Sequence, residues 1–187
     1  MGSAKTAAVL WRRLDRPGHE TALLLRAGNG WELAGAAVFL HRKDPCSLTY
    51  RITCDSKWRT RSAAVTGWVG KKTIGVEARI DRVGVWKVGG DEVSRIEGCV
   101  DVDLNFSPST NLLPIRRLRL SVGEERDVRA AWLRFPSFRF ELLEQSYRRL
   151  SRNRYRYRSA GGRFETDLEV DDDGFPIRYP GFWERVG

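Results

Sequence analysis

The sequence predicts a mainly β (α+β) fold, an antiparallel sheet with a single helix. Three observations predict it: apolar residues alternate with period two through much of the chain, turn signals punctuate it at short intervals, and one segment alone carries helical spacing. In Leu48 to Asp55, Leu48, Tyr50, Ile52 and Cys54 share one face, while Thr49, Arg51, Thr53 and Asp55 share the other. Thr73 to Asp81, Val100 to Phe106 and Phe164 to Asp171 alternate in the same way. A strand with one apolar and one polar face belongs to an antiparallel sheet with one wet side. The turns are marked by Asp15-Arg16-Pro17-Gly18, Gly28-Asn29-Gly30, Lys43-Asp44-Pro45, Gly89-Gly90-Asp91, Ser107-Pro108-Ser109 and Asp172-Asp173-Gly174. The exception to period two is Ser137 to Leu150, where Phe140, Leu143, Tyr147 and Leu150 recur at steps of three and four. With Pro136 before it and Ser137 as N-cap, this spacing predicts a largely buried helix.

At 187 residues the chain has the length of one domain, and no linker, repeat or composition shift divides it, so residues 1–187 are expected to form a single domain. No apolar run reaches the roughly 18 residues of a membrane span. Met1 to Leu10 lacks a full hydrophobic region and runs into Trp11-Arg12-Arg13, which argues against a signal peptide and for the cytoplasm. The cysteines agree: Cys46, Cys54 and Cys99 are sparse, odd in number and without a Cys-x-x-Cys. With only His19 and His41 beside them they give no zinc motif, and each histidine reads as a lone surface residue. No Gly-rich phosphate loop, nucleophile elbow or His-Glu-x-x-His is present, so neither a cofactor nor a metal is expected.

The net charge of +9 is consistent with an anionic partner or simply with a solvated basic surface. Arg152, Arg154, Arg156 and Arg158, interleaved with Tyr155 and Tyr157, raise nucleic-acid binding as a reading. Strand alternation turns the tyrosines away from the arginines, which weakens it.

Several longer stretches carry a family resemblance. These are Trp58-Arg59-Thr60-Arg61, Gly98-Cys99-Val100-Asp101-Val102-Asp103-Leu104, and Phe106-Ser107-Pro108-Ser109-Thr110-Asn111 running into Leu113-Pro114-Ile115-Arg116-Arg117. Ala131-Trp132-Leu133-Arg134-Phe135-Pro136, Tyr155-Arg156-Tyr157 and Tyr179-Pro180 support them. Together, from about Trp11 to Trp183, they resemble a bacterial glycolipid-binding family long carried as a domain of unknown function. The resemblance implies a long antiparallel sheet curled as a roll around a single helix, distantly similar to lipoprotein-localisation carriers. It also implies a homodimer and an acidic pocket for a sugar or lipid headgroup.

The candidate ligand-binding residues are Asp101, Asp103, Arg59, Arg61, Asp55, Asn111 and Arg117. Asp101 and Asp103, two apart on a strand, point the same way about 6.5 to 7 Å apart. That spacing is near the roughly 6.5 to 9.5 Å of inverting glycosidase carboxylates, but neighbours on one strand do not flank a substrate from opposite sides. A pocket role, a pair of solvated charges met by arginines, and catalysis follow in that order. Arg59 and Arg61 share a face and suit either an anionic headgroup or an ion-pair ladder with Asp101 or Asp103, with Asp55 in the same network. Asn111 and Arg117 sit on what reads as a loop leading into a strand, where Asn111 caps turn carbonyls or meets a ligand. The leading function is non-catalytic binding of an amphiphile, a glycolipid by resemblance. The alternatives are an enzyme of glycoconjugate metabolism using Asp101 or Asp103 as acid or base, and nucleic-acid binding by the Arg152 to Arg158 strand.

Overall fold

The structure, a computed structural model, describes residues 6–187, so the reading of Met1 to Leu10 lies partly outside the described residues. The chain first runs out through β1 (Ala7–Arg13), β2 (Gly18–Ala27), β3 (Gly30–His41), β4 (Asp44–Cys54), β5 (Thr60–Val69), β6 (Lys72–Ile80), β7 (Trp86–Val88) and β8 (Asp91–Glu92). Then come β9 (Asp101–Leu104) and the helix α1 (Leu112–Leu118). A second meander follows: β10 (Glu125–Arg134), β11 (Arg139–Arg149), β12 (Arg154–Ser159), β13 (Phe164–Val170), β14 (Pro176–Tyr179) and β15 (Trp183–Arg185). All fifteen strands of the described residues belong to one sheet, in which β15 pairs with β1 through Trp11↔Arg185 and Arg13↔Trp183. The sheet therefore grows outward from both chain ends, with β8 and β9 as its edges.

The long sheet curves. Trp86 Nε1 on β7 donates to Cys99 O (2.9 Å), and Thr60 N on β5 donates to Val100 O (3.1 Å), so the segment entering β9 touches the far half of the sheet without a closing ladder. The alternating segments form as the sequence predicts: Leu48, Tyr50, Ile52 and Cys54 are buried on β4, and Leu168 and Val170 on β13. Trp11, Leu33, Trp86, Phe106, Leu112 and Tyr147 are among the most completely buried side chains of the common core.

Three expectations are corrected. Ser137 to Leu150 is not a helix. Pro136 to Phe138 form the turn of a hairpin, with Phe138 N bonded to Arg134 O (2.7 Å), and Arg139–Arg149 pairs along its length with β10 and along its C-terminal half with β12. The helical spacing arose because this strand is apolar on both faces. Phe140 and Leu142 share one parity, with Phe140 near Trp86 (6.1 Å between ring centroids); Leu143, Gln145 and Tyr147 share the other. Superposed, the two period-two rows imitate steps of three and four. The helix lies instead at Leu112–Leu118, in the segment whose sequence predicts a loop, with Leu112, Leu113, Pro114 and Ile115 buried; a proline is tolerated in a first helical turn. Finally, β9 runs parallel to β10 (Ala130↔Asp101, Leu133↔Leu104), because the α1 segment carries the chain across between them.

Candidate functional site

Asp101 and Asp103 do lie on one face of β9, yet they meet different surroundings. Asp101 is 1% exposed and gripped by Arg117 of α1, which donates from Nε (3.0 Å) and from Nη2 (2.5 Å). Burial still holds its carboxyl above the usual range, outweighing the guanidinium. Asp103 is half-buried and has no cation within ion-pair distance among the described residues. Its Oδ2 accepts from Gln145 Nε2 (2.7 Å), which also lies 3.1 Å from Tyr157 Oη. Burial pushes the Asp103 carboxyl up to about 6, and the Gln145 hydrogen bond offsets this only in part.

Asp103 opens onto a cleft of about 280 Å³. One wall is aromatic: Tyr157, Phe164, Tyr179, Phe182 and Trp183 come from β12 to β15 and the turn between the last two strands. Their rings meet at an angle, as in Tyr157 with Phe164 (5.9 Å, 65°) and Tyr179 with Phe182 (5.3 Å, 68°). Arg13, Asp15 and Arg16 form the charged part of the lining. Arg13 is buried between the Phe39 and Trp183 rings (4.6 and 4.8 Å from its guanidinium carbon) and bonds Asp15 through Nε (3.0 Å) and Nη2 (3.1 Å). Arg16 bonds the same carboxylate (2.8 Å). Trp183 Nε1 is buried without a hydrogen-bond partner among the described residues.

Ser107 also lines the cleft and joins it to a buried acid. Glu20 stands on the core face of β2 with Ala22 and Leu24 and is 1% exposed. Its Oε1 accepts from Ser107 Oγ and from Tyr50 Oη (2.8 Å), and Tyr50 Oη is also 2.8 Å from Ser109 Oγ. Burial drives the Glu20 carboxyl up to about 8; the Ser107 and Tyr50 hydrogen bonds and the Arg13 charge compensate only partly.

The other candidates are dispersed. Asn111 lines the cleft, and its amide is committed: Nδ2 donates to Pro108 O (3.0 Å), and Oδ1 accepts from Tyr147 Oη (2.9 Å). The expected ladder between Arg59 or Arg61 and the β9 aspartates is absent. Arg61 pairs with Asp55 (2.7 Å), whose Oδ1 also accepts from the backbone of Lys57 and Arg59, fixing the turn into β5. Thr60 rather than an arginine faces inward there, and Arg59 and Arg61 line a separate surface depression with Arg82 and Glu97. Trp58, the inward member of that motif, stacks on Trp31 (4.5 Å) beneath Arg116. Arg154 and Arg156 pair with Asp167, and Arg158 pairs with Glu165 and Glu125, while Tyr155 and Tyr157 are buried. The stripe that raised nucleic acid is thus a cross-strand charge ladder with its rings turned inward.

Sequence reasoning missed Arg13, Asp15, Glu20, Gln145 and most of the aromatic wall. Only Glu20 left a local signal, an acid at an apolar parity position of β2.

Fold and cleft together define a class: a protein of one long, curved, mostly antiparallel sheet with an aromatic and carboxylate-lined cleft on its concave side. The chain belongs to the family described as "Putative glycolipid-binding", whose model matches residues 8–185. Among solved structures it is similar to a DUF1089 family protein from Pseudomonas aeruginosa, determined by crystallography at 1.80 Å resolution. The two are 29% identical with a TM-score of 0.74, over 97% of this chain and 92% of that one. No curated protein matches.

Proposed function

We propose that this protein binds the polar head of an amphiphile of the glycolipid kind in the Asp103 cleft and does not transform it. The observation that carries the reading is Asp103 itself: a half-buried carboxylate without a countercharge among the described residues, opening onto rings that can pack against a sugar or the root of an acyl chain. The family description supports it. A cleft of about 280 Å³ suits a head and its first few carbons, so a longer chain would continue over the sheet surface. Native mass spectrometry after gentle purification, followed by solvent extraction, is expected to find a bound amphiphile. Ser159→Phe, which fills the cleft from β12, should release it. A ligand-free protein whose tryptophan fluorescence ignores octyl glucoside would overturn the reading.

We further propose that residues 1–187 act as one domain, rolled around α1, that pairs into a homodimer and works in the cytoplasm. One sheet holding every strand of the described residues, and a helix with four buried residues, support the first two points. Three buried, unpaired cysteines support a reducing compartment, and no helix among the described residues is long and apolar enough to cross a membrane. The dimer reading is favoured by an apolar patch on the outer face of β1 to β5, where Leu10, Leu23, Val38, Leu40 and Trp68 are exposed.

A further inference from the structure

We propose that the head held in this cleft carries a cation, an ammonium or protonated amino-sugar nitrogen, seated on Asp103 and facing the aromatic wall. The inference rests on the binding reading above and narrows the class of ligand.

Among the described residues, each charged side chain lining the cleft has an ion-pair partner except Asp103. Asp101, beside Asp103 on β9, is neutralised by Arg117. Asp15 is held by both Arg13 and Arg16. Asp103 receives one hydrogen bond, from a neutral amide, and its Oδ1 accepts nothing among the described residues. A sugar hydroxyl would satisfy that oxygen, but it would leave a negative charge in aromatic surroundings. A cation satisfies the oxygen and removes the charge, and a desolvated carboxylate gains more from it than from a neutral donor.

The rings that share the cleft with Asp103 are of the matching kind. Ring faces attract cations, and an aromatic cage closed by a carboxylate is a recurrent solution for ammonium groups. Here Phe164 with Phe182 (67°) and Tyr179 with Trp183 (54°) meet edge-on or tilted, so the faces are not consumed by stacking on one another. The protein already seats a cation of its own on this wall, since the Arg13 guanidinium lies over Trp183. Arg13 shares the Asp15 carboxylate with Arg16, so the lining carboxylate that no cation contacts is Asp103.

The test compares two probes that differ in one group, octyl β-D-glucopyranoside and octyl 2-amino-2-deoxy-β-D-glucopyranoside. Both are titrated calorimetrically into the full chain, below their micelle concentrations and near neutral pH. The amino probe is expected to bind at least about tenfold tighter. Asp103→Asn keeps an oxygen for Gln145 to donate to, so it should melt as the parent does, and it should bring the two affinities within about threefold. Phe164→Leu should weaken the amino probe more than the neutral one. Equal or tighter binding of the neutral probe, or a preference that survives in folded Asp103→Asn, overturns the cation. Binding of neither probe overturns the cleft as the binding site, and the cation with it.

Discussion

Glu20 is the residue whose position most constrains the molecule's chemistry. A carboxyl on the core face of β2, pushed up to about 8 by burial, is protonated in the fold over a range where the unfolded chain, near the ordinary glutamate value of 4.5, has already released its proton. The native state then binds more protons than the unfolded one, so stability falls as pH rises through that window and is highest below it. Carboxylates such as Asp15 and Asp167 act in the opposite sense. Burial pushes the Asp15 carboxyl up, but the hydrogen bonds and charges of Arg13 and Arg16 outweigh it and hold Asp15 below its ordinary value; the Arg156 hydrogen bond does the same for Asp167, so their contribution is lost only in strong acid. Asp103, raised to about 6, adds a slope of the same sign lower down, so between about pH 6 and 8 the Glu20 slope should dominate. Thermal melts across that range are expected to show the parent losing stability toward the alkaline side and Glu20→Gln, which cannot ionise, losing much less. Parallel curves would mean that Glu20 does not hold its proton in the fold. At this scale the sequence revealed part of the candidate site. The parity of Val100 to Phe106 put Asp101 and Asp103 on one side, and they are there. Their partners were not legible, because Arg117 and Gln145 reach them from α1 and β11, and no local pattern encodes a contact across 16 or 42 residues.

Strands were legible where their two faces differ in polarity and misread where they do not. β4 alternates cleanly because its outer side meets water. β11 is covered on both sides near Phe140 and Leu143, so its pattern no longer reports period two, and only pairing with β10 and β12 identifies it. α1 was missed because one short turn-rich segment, with a proline inside it, offers too few residues for a helical period to show. The register between strands can itself be tested at Gly67 on β5. Its φ of +136° is a conformation that side chains rarely adopt, and a Cβ there would strike the carbonyl oxygen of Ser47 on β4. Neither atom can yield without parting the β4–β5 ladder, in which Leu48 faces Gly67. Gly67→Ala is expected to cost about 2 kcal/mol or more in urea unfolding, while Gly75→Ala on β6, where added bulk meets open space, should cost well under half of that. Equal costs at the two positions would show that the β4–β5 register is not the one described.

The molecule as a whole is a sheet whose concave side is filled and whose convex side is partly apolar. Its free edges are modest: β8 is two residues long, and β9 is four residues long with an aspartate at alternate positions, which limits edge-to-edge growth. The convex face is less protected. Register places Val38 beside Ser47, and Ser47 beside Trp68, on three neighbouring strands, with Val38 59% and Trp68 42% exposed. Leu10 and Leu23 extend the same surface toward β1 and β2, among small side chains such as Ala34 and Ala36. A patch of this kind, spread over neighbouring strands near the centre of the sheet, fits self-association by face packing, and a second copy supplies a matching surface by symmetry. The expected outcome is a dimer in sedimentation equilibrium at micromolar concentration, and a monomer for Val38→Glu, a substitution that places one charge at the centre of the patch and leaves the concave core untouched. The change should leave ligand retention intact, because the Asp103 cleft opens on the opposite side of the sheet from Val38. A parent protein that sediments as a monomer would remove the homodimer, and the exposed row through Val38 and Trp68 would then have to be covered by something other than a second copy of this chain.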